Sequence, residues 1–199
     1  MKKIKRLLVA NRGEIAIRVM RAATELNITT VALFSFEDRY SLHRFKADEA
    51  YRVGSGKTAV QAYLDIEDII RLACDQDIDA IHPGYGFLSE SPEFVDACDA
   101  AGIIFVGPPA PVMRKLGNKV SAREIAKLAD VPVMPASPPL GFNTEQNLVC
   151  AEQVGFPVML KASWGGGGRG MRIVECKEQL ADAVAEGRAE AASAFGNGE

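Results

Sequence analysis

The sequence has few of the residues that build metal sites. It contains two histidines and four cysteines, and the cysteines are far apart with no C-x-x-C pair. Because a zinc site needs closely spaced thiolates and imidazoles, we expect no structural metal. We expect the cysteines to be small buried apolar residues in a reducing compartment, and nothing around them indicates a catalytic thiol.

Long apolar runs and a surplus of one charge are also missing. No run approaches the roughly 18 apolar residues that a membrane span requires. The basic start precedes a short apolar stretch, Leu7 to Ala10, which is too brief for a signal peptide core. With 23 basic and 26 acidic residues the net charge is −3, which argues against general nucleic-acid binding. We expect a cytoplasmic globular protein with no membrane or nucleic-acid partner.

What is present is an alternation of short apolar runs with helical periodicity. Apolar runs predict strands at 6–10, 30–34, 50–53, 80–81 and 103–106, and helical spacing is seen at 15–26 and 66–74 and after Pro92. Short apolar strands separated by helices are typical of a parallel sheet covered on both faces. Asn11 is expected to cap the first helix. The pattern predicts a Rossmann-like α/β domain at the N-terminus.

A change in composition marks a junction. Seven of the ten prolines fall between Pro108 and Pro139, and the stretch 131–142 is interpreted as a connection between units. A helical segment is expected at 119–129, and beyond the connection the pattern predicts helix 144–154, strands 158–161 and 171–174, and helix 177–188. The link between these strands is too short for a parallel return, so we expect an antiparallel hairpin. The predicted domains are 1–117 and a small α+β domain at 118–199.

A glycine-rich segment between the two hairpin strands carries the strongest functional signal. Gly165, Gly166, Gly167, Gly168 and Gly170 surround a single Arg169, and Lys161 ends the preceding strand. Backbone without side chains lets amides approach an anion, while the two cations add charge and paired donors. The alternative is a flexible linker, which seldom carries two such cations between strands. We interpret the segment as a lid over nucleotide phosphates.

Two other glycine motifs fail the pattern that they approximate. Gly54 to Thr58 ends like a P-loop, but Tyr51 stands where that pattern needs its first glycine. After the first strand there is only Gly13 where a dinucleotide fingerprint has three glycines, and Glu14 would repel a pyrophosphate. We therefore expect a surface loop at 54–58 and no NAD.

The loop from His82 to Glu90 follows a strand end, where ligands bind in open α/β sheets. Its two glycines and Tyr85 offer backbone donors and a flat face to a planar ligand. An equally good interpretation is a structural turn in which His82 bonds locally. His43 is expected to be structural or to lie on the surface.

Four segments together resemble the biotin carboxylase module of biotin-dependent carboxylases, which is an ATP-grasp enzyme. They are Asn11 to Ala16, His82 to Glu90, Gly117 to Ala122 and Lys161 to Met171, and they cover the chain in order. Leu42 to Glu49 and Trp164 are more similar to the pyruvate carboxylases than to the acyl-CoA carboxylases of this family. The His82 loop and Trp164 weigh against another ATP-grasp ligase.

The resemblance implies roles for several residues. Lys119 and Lys161 would contact ATP phosphates, Gly165 to Gly170 would close over them, and Met171 would lie near the adenine. Tyr85 and Gly86 would face the ureido ring of biotin. The family converts ATP and bicarbonate into carboxyphosphate and then carboxylates N1′ of biotin held on a carrier domain.

The resemblance also implies that the catalytic half is not in these residues. The Mg²⁺-binding glutamates, the general base and the arginine for biotin's enolate would lie beyond Glu199, so no catalytic or metal-binding residue is expected here. We expect part of a longer, homo-oligomeric carboxylase, inactive on its own. The alternatives are the biotin carboxylase subunit of an acetyl-CoA or propionyl-CoA carboxylase, and a non-catalytic nucleotide-binding or interaction module.

Overall fold

The computed structural model describes residues 3–163, 171–196 and 198. The chain divides into two compact units, residues 1–113 and residues 114–199, which we call the N-unit and the C-unit. Each unit has its own apolar core.

The described part of the N-unit contains a five-stranded parallel sheet in the order β3-β2-β1-β4-β5. Its strands are β1 Arg6–Val9, β2 Thr29–Phe34, β3 Glu49–Arg52, β4 Ala80–His82 and β5 Ile104–Phe105. The chain builds outward from β1 to β3 and then returns to the other side of β1. A topological switch point therefore lies between β1 and β4, where sheets of this class bind ligands. The expected Rossmann-like sheet is confirmed.

The helices occur between and after these strands. They are α1 Gly13–Glu25, α2 Ala59–Tyr63, α3 Ile66–Asp75, α4 Pro92–Ala100, α5 Ala110–Leu116, α6 Lys119–Leu128, α7 Thr144–Val154 and α8 Leu180–Phe195, with 3₁₀ turns at Glu37–Tyr40, Leu42–Lys46 and Lys177–Gln179. None of the helices in the described ranges has the length and apolar character needed to cross a membrane.

Two apolar layers cover the faces of the parallel sheet. Successive strand residues point to opposite faces, so Leu8 and Val9 enter different clusters although they are neighbours. Leu8 packs in the cluster that includes Phe94 of α4, whereas Val9 packs with Met20 of α1. This burial on both faces explains why the strands read as continuous apolar runs.

The expected cap of α1 by Asn11 is wrong. The helix begins at Gly13, and the preceding Arg12 makes no side-chain capping bond. The Asn11 amide instead donates to the carbonyl oxygens of Pro83 and Tyr85 in the loop that follows β4. The short helices α2 and α5 were not expected either, because five to seven residues are too few to show a period.

His43 is a structural residue with no exposed surface. Its Nε2 lies 2.9 Å from the Leu33 carbonyl oxygen and therefore donates to it. The expectation that the cysteines are buried holds for Cys98 but not for Cys74, which is exposed on α3.

The C-unit contains the expected antiparallel hairpin. Its strands are β6 Val158–Leu160 and β7 Arg172–Val174, with Val158 paired to Val174 and Leu160 to Arg172. Helix α7 has the expected bounds. Helix α8 is longer than expected, because its alanine-rich end keeps a high helix propensity and only Gly196, in a left-handed conformation, ends it.

Candidate functional site

At the switch point of the N-unit, a buried side chain joins the loops after β1 and β4. The Nδ2 of Asn11 donates to the carbonyl oxygens of Pro83 and Tyr85 over 2.7 and 2.8 Å. Its Oδ1 accepts the amide of Arg12 at 2.8 Å, and the residue is only 2% exposed. The two loops named separately in the sequence are thus one structure.

The loop after β4 has a conformation that requires glycine at Gly84. This residue has φ +67°, and a Cβ there would lie 2.6 Å from the Asn11 Nδ2. Gly86 and Phe87 also have positive φ, of 66° and 43°. The loop therefore packs directly on Asn11 and cannot keep this path with a side chain at position 84.

His82 acts as the local structural residue that one interpretation of the sequence predicted. Its Nδ1 accepts the amide of Gly84 at 2.9 Å, which leaves the imidazole proton on Nε2. Burial lowers the pKa of His82, so the ring stays neutral near pH 7. Two other backbone amides of the loop, those of Tyr85 and Gly86, have no acceptor among the described residues.

Tyr85 presents its ring at the surface of the same loop. The side chain is 60% exposed, and its hydroxyl donates to the carboxylate of Glu14 on α1. That hydrogen bond is the main reason why the pKa of Tyr85 is raised. An exposed ring beside unpaired amides could stack on and hydrogen-bond a planar ligand.

A charged and aromatic cluster supports the loop. The Arg12 guanidinium pairs with Asp38 at 3.0 Å and lies 5.5 and 5.6 Å from the ring centroids of Tyr63 and Phe87. These two rings stack at 5.1 Å, and the Tyr63 hydroxyl donates to Asp38 at 2.9 Å. Phe87, in the loop after β4, is therefore held by contacts with the Arg12 guanidinium and the Tyr63 ring.

The electrostatics of this cluster keep Asp38 ionised. Burial alone would raise the pKa of Asp38, but hydrogen bonds from Ser41, Tyr63 and Arg12 together lower it below its usual value. Burial and then the bond to Asp38 raise the pKa of Tyr63, which therefore remains a neutral donor. This cluster could not be predicted from the sequence, because its members are brought together only by the fold.

The C-unit contains a cavity of about 620 Å³. Within the described part of the chain, its charged lining residues are all basic: Lys119, Arg123, Lys161 and Arg188. Much of the remaining lining is apolar, including Leu160 and Val184. An apolar cavity with several cations can take a ligand that has both a flat apolar part and a strongly anionic part.

Local structure brings Lys119 and Lys161 to this cavity. Asn118 caps α6 by accepting the amides of Val120 and Ser121 at 2.9 and 3.1 Å, which makes Lys119 the first helical residue. The Lys119 amide donates to the Ser163 carbonyl at 3.3 Å. Ser163 is two residues after Lys161, which directly follows β6. Two lysines 42 positions apart in sequence therefore share one cavity.

The proline-rich stretch 131–142 is more than the connection that the sequence indicated. Residues 134–140 line the cavity. Arg123 donates to the Met134 carbonyl, while Arg188 donates to the Gly141 carbonyl at 2.8 Å and stacks 4.3 Å from the centroid of Phe142. Neither arginine was predicted as a site residue from the sequence, although both hold this wall of the cavity in place.

The remaining predicted residues are only partly described. Gly165, Gly166, Gly167, Gly168, Arg169 and Gly170 lie outside the described residues, as does Trp164. Met171 precedes β7, is 44% exposed and does not line the described cavity.

In the P-loop-like segment 54–58, a backbone amide and the lysine are both bonded to carboxylates of this chain. The amide of Gly54 donates to Asp68 at 2.8 Å, and Lys57 pairs with Asp65 at 2.5 Å.

Among the described residues, no group of three or more histidine, cysteine, aspartate or glutamate side chains could hold a metal ion.

Two family models match consecutive parts of the chain. Residues 3–113 match "Biotin carboxylase, N-terminal domain", and residues 118–199 match "Carbamoyl-phosphate synthase L chain, ATP binding domain". The chain is 52% identical over 197 residues to mitochondrial pyruvate carboxylase of Homo sapiens, covering 99% of this chain and 17% of that protein. It thus spans about 17% of the length of this curated relative.

Solved structures give a similar result. Rhizobium etli pyruvate carboxylase T882A, solved with the activator acetyl coenzyme A, is 56% identical with a TM-score of 0.88 and covers 98% of this chain and 17% of its own. The biotin carboxylase domain of Hydrogenobacter thermophilus 2-oxoglutarate carboxylase, a dimer in complex with MgADP, ADP and bicarbonate, is 43% identical with a TM-score of 0.92. That match covers 100% of this chain and 43% of the other.

Proposed function

Because this chain belongs to the biotin carboxylase N-terminal domain family, we propose that it forms the N-terminal part of the biotin carboxylase of a pyruvate carboxylase. The reaction would convert ATP and bicarbonate into carboxyphosphate and then carboxylate N1′ of carrier-bound biotin. High identity to pyruvate carboxylases over nearly the whole chain supports this proposal over an acyl-CoA carboxylase. Residues 1–117 would form its N-terminal domain and residues 118–199 the start of its ATP-grasp domain.

The C-unit would bind ATP. Lys119 and Lys161 would pair with the phosphates, and the apolar lining would surround the base. Gly165 to Gly170, with Arg169, would close over the phosphates, and Met171 would lie near the adenine. Phosphoryl transfer depends mainly on positioning and on neutralising charge, which fixed lysines and backbone amides can provide.

The N-unit would bind biotin through the loop after β4. Unpaired amides of Tyr85 and Gly86 would donate to the ureido oxygen, and the exposed ring of Tyr85 would lie against the planar ring system. The location of this loop at the switch point of a parallel sheet supports the assignment.

In the part of the chain that the structure describes, no group of three or more histidine, cysteine, aspartate or glutamate side chains could hold a metal ion. We propose that residues beyond this chain hold the Mg²⁺ and act as the general base.

The partners would be the rest of the carboxylase, bicarbonate and the biotin carrier domain. The enzyme would be a homo-oligomer located in the cytoplasm. Four free cysteines are consistent with such a reducing compartment.

The observation that carries the ATP assignment is the shared cavity of Lys119 and Lys161, whose described charges are all positive. In the full-length enzyme, Lys161→Ala should raise the KM for ATP at least about tenfold, whereas Lys177→Ala, which lies outside the cavity lining, should leave it unchanged. Gly167→Val should also impair ATP use, because a branched side chain obstructs amide approach to phosphate. Unchanged KM and kcat in Lys161→Ala would contradict the assignment.

A further inference from the structure

We propose that Asn11 is a positioning residue that aims the amide of Gly86 at biotin. The inference rests on the proposed function, in which the loop after β4 binds the ureido ring. Asn11 lies on a different strand end from that loop, 72 residues from Pro83, and would not itself contact biotin.

The hydrogen bonds of the Asn11 side chain decide which way its amide group points. Both carbonyls that it binds, those of Pro83 and Tyr85, lie on the loop, and its oxygen is taken by the amide of Arg12. The amide group therefore has one orientation, with Nδ2 toward the loop. An oxygen in that place would face two carbonyl oxygens and repel both.

Because the peptide bond is planar, the direction of the Tyr85 carbonyl also sets the direction of the Gly86 N–H. In a trans peptide the C=O and the N–H of one unit point in opposite directions. In the described chain the cis peptide is Phe156-Pro157, so the unit joining Tyr85 to Gly86 is trans. Because Asn11 holds the Tyr85 carbonyl toward itself, the Gly86 N–H is directed away from Asn11.

The preceding peptide gives an internal check of this reasoning. The Pro83 carbonyl also points to Asn11, and the Gly84 N–H of the same unit points away, to His82 Nδ1 at 2.9 Å. The Gly86 N–H has the same relation to Asn11 but has no acceptor among the described residues. It is left as a donor to a carbonyl oxygen of the ligand.

The decisive variant is Asn11→Asp, which keeps the side-chain size but removes both donors. In the full-length enzyme we expect the KM for free biotin to rise about tenfold or more, because the two carbonyls lose their partner and the loop reorients. The KM for ATP should stay within about twofold, since ATP would bind in the C-unit. The matched control is Asn147→Asp, a buried asparagine of the C-unit whose Nδ2 donates to Gly141, which should not raise the KM for biotin.

A second variant reaches the loop from the other side. Gly84→Ala keeps Asn11 but places a Cβ 2.6 Å from its Nδ2, and should give the same selective rise in the KM for biotin. Hydrogen exchange of the full-length enzyme supplies a readout without activity. Asn11→Asp should speed exchange at the amides of Gly84 and Ser89, which are hydrogen-bonded to His82 and to the Gly86 carbonyl, and should leave α7 unchanged.

The outcomes separate the two proposals. An active wild-type enzyme in which Asn11→Asp changes neither KM, or raises both equally, overturns the inference alone. Unchanged exchange at the Gly84 and Ser89 amides in Asn11→Asp also overturns it. A full-length wild-type enzyme with no biotin-dependent turnover overturns the proposed function, and the biotin assignment of this loop with it.

Discussion

The two units achieve binding surfaces by different means. In the N-unit, a sheet buried on both faces fixes the ends of β1 and β4, and neutral buried groups such as Asn11 shape the backbone between them. In the C-unit, a two-stranded hairpin and an irregular proline-rich wall surround a cavity whose described charges are basic. The N-unit surface therefore suits a neutral planar ligand that is recognised by shape. The C-unit cavity suits a polyanion that is recognised by charge.

The distribution of buried side chains makes the same distinction. The largest fully buried side chains among the described residues belong to the N-unit, with the exception of Val174. A two-stranded sheet is marginally stable by itself. We therefore expect the N-unit to be the more stable of the two.

The largest effect should come from Phe94, which has no exposed surface and contacts Phe105 edge-on at 5.9 Å. Phe94→Ala should lower the free energy of unfolding of the N-unit by about 3–5 kcal/mol. Phe142, 93% exposed in the C-unit, is the control, and Phe142→Ala should cost about 0.5 kcal/mol or less. Denaturant unfolding monitored by hydrogen exchange would measure the free energy of unfolding of both variants. Equal losses of stability in the two variants would contradict the comparison.

A pair of glycines in the N-unit separates crowding from backbone strain. Gly54 and Gly56 both have positive φ, but a Cβ at 54 would lie 2.2 Å from Ala62 Cβ whereas one at 56 meets nothing within 4 Å. Gly54→Ala should destabilise by about 3 kcal/mol and Gly56→Ala by about 1 kcal/mol. Thermal unfolding of the two variants would show the difference, and similar values would mean that the α2 contact is unimportant.

Acid should weaken the N-unit through Glu49. Hydrogen bonds from Arg6, and then from Tyr51, lower the pKa of Glu49 from 4.5 to about 2. A depressed pKa stabilises the fold above pH 4.5, and this contribution is lost as the pH falls from 4.5 toward 2. Because the pair is partly exposed, we expect about 1 kcal/mol.

The test of this prediction is Glu49→Gln, which should remove that part of the acid dependence. Glu186, 68% exposed and paired with Arg172 in the C-unit, provides the control, and Glu186→Gln should change the free energy of unfolding at pH 5 by about 0.5 kcal/mol or less. Denaturant unfolding at pH 5 and pH 2.5 would measure it. An unaltered pH profile in Glu49→Gln would refute the assignment.

The smallest effect concerns reactivity and not stability. Burial raises the pKa of Cys98 to about 12, whereas Cys74 is exposed. A thiol reagent at pH 8 should label Cys74 rapidly and Cys98 only when the N-unit opens. Mass spectrometry of labelled peptides would detect this, and early labelling of Cys98 would argue against a stable N-unit.

The features that sequence predicted correctly are local or repetitive. The bounds of α7, the hairpin and the parallel strands follow from periodicity and from short link length. The features that it missed depend on contacts between distant residues. Asn11 was assigned to a helix cap because its partners are 72 and 74 residues away, and Arg188 reaches Gly141 across 47 residues.

In the proposed function, the N-unit loop binds biotin and the C-unit cavity binds ATP. The most direct measurement is hydrogen exchange of the full-length enzyme with MgATP alone and with biotin alone. We predict that MgATP slows exchange at residues 119–121 and 160–163, and that biotin slows exchange at residues 84–87. Protection of the same segments by both ligands, or of neither segment by its own ligand, would contradict the account.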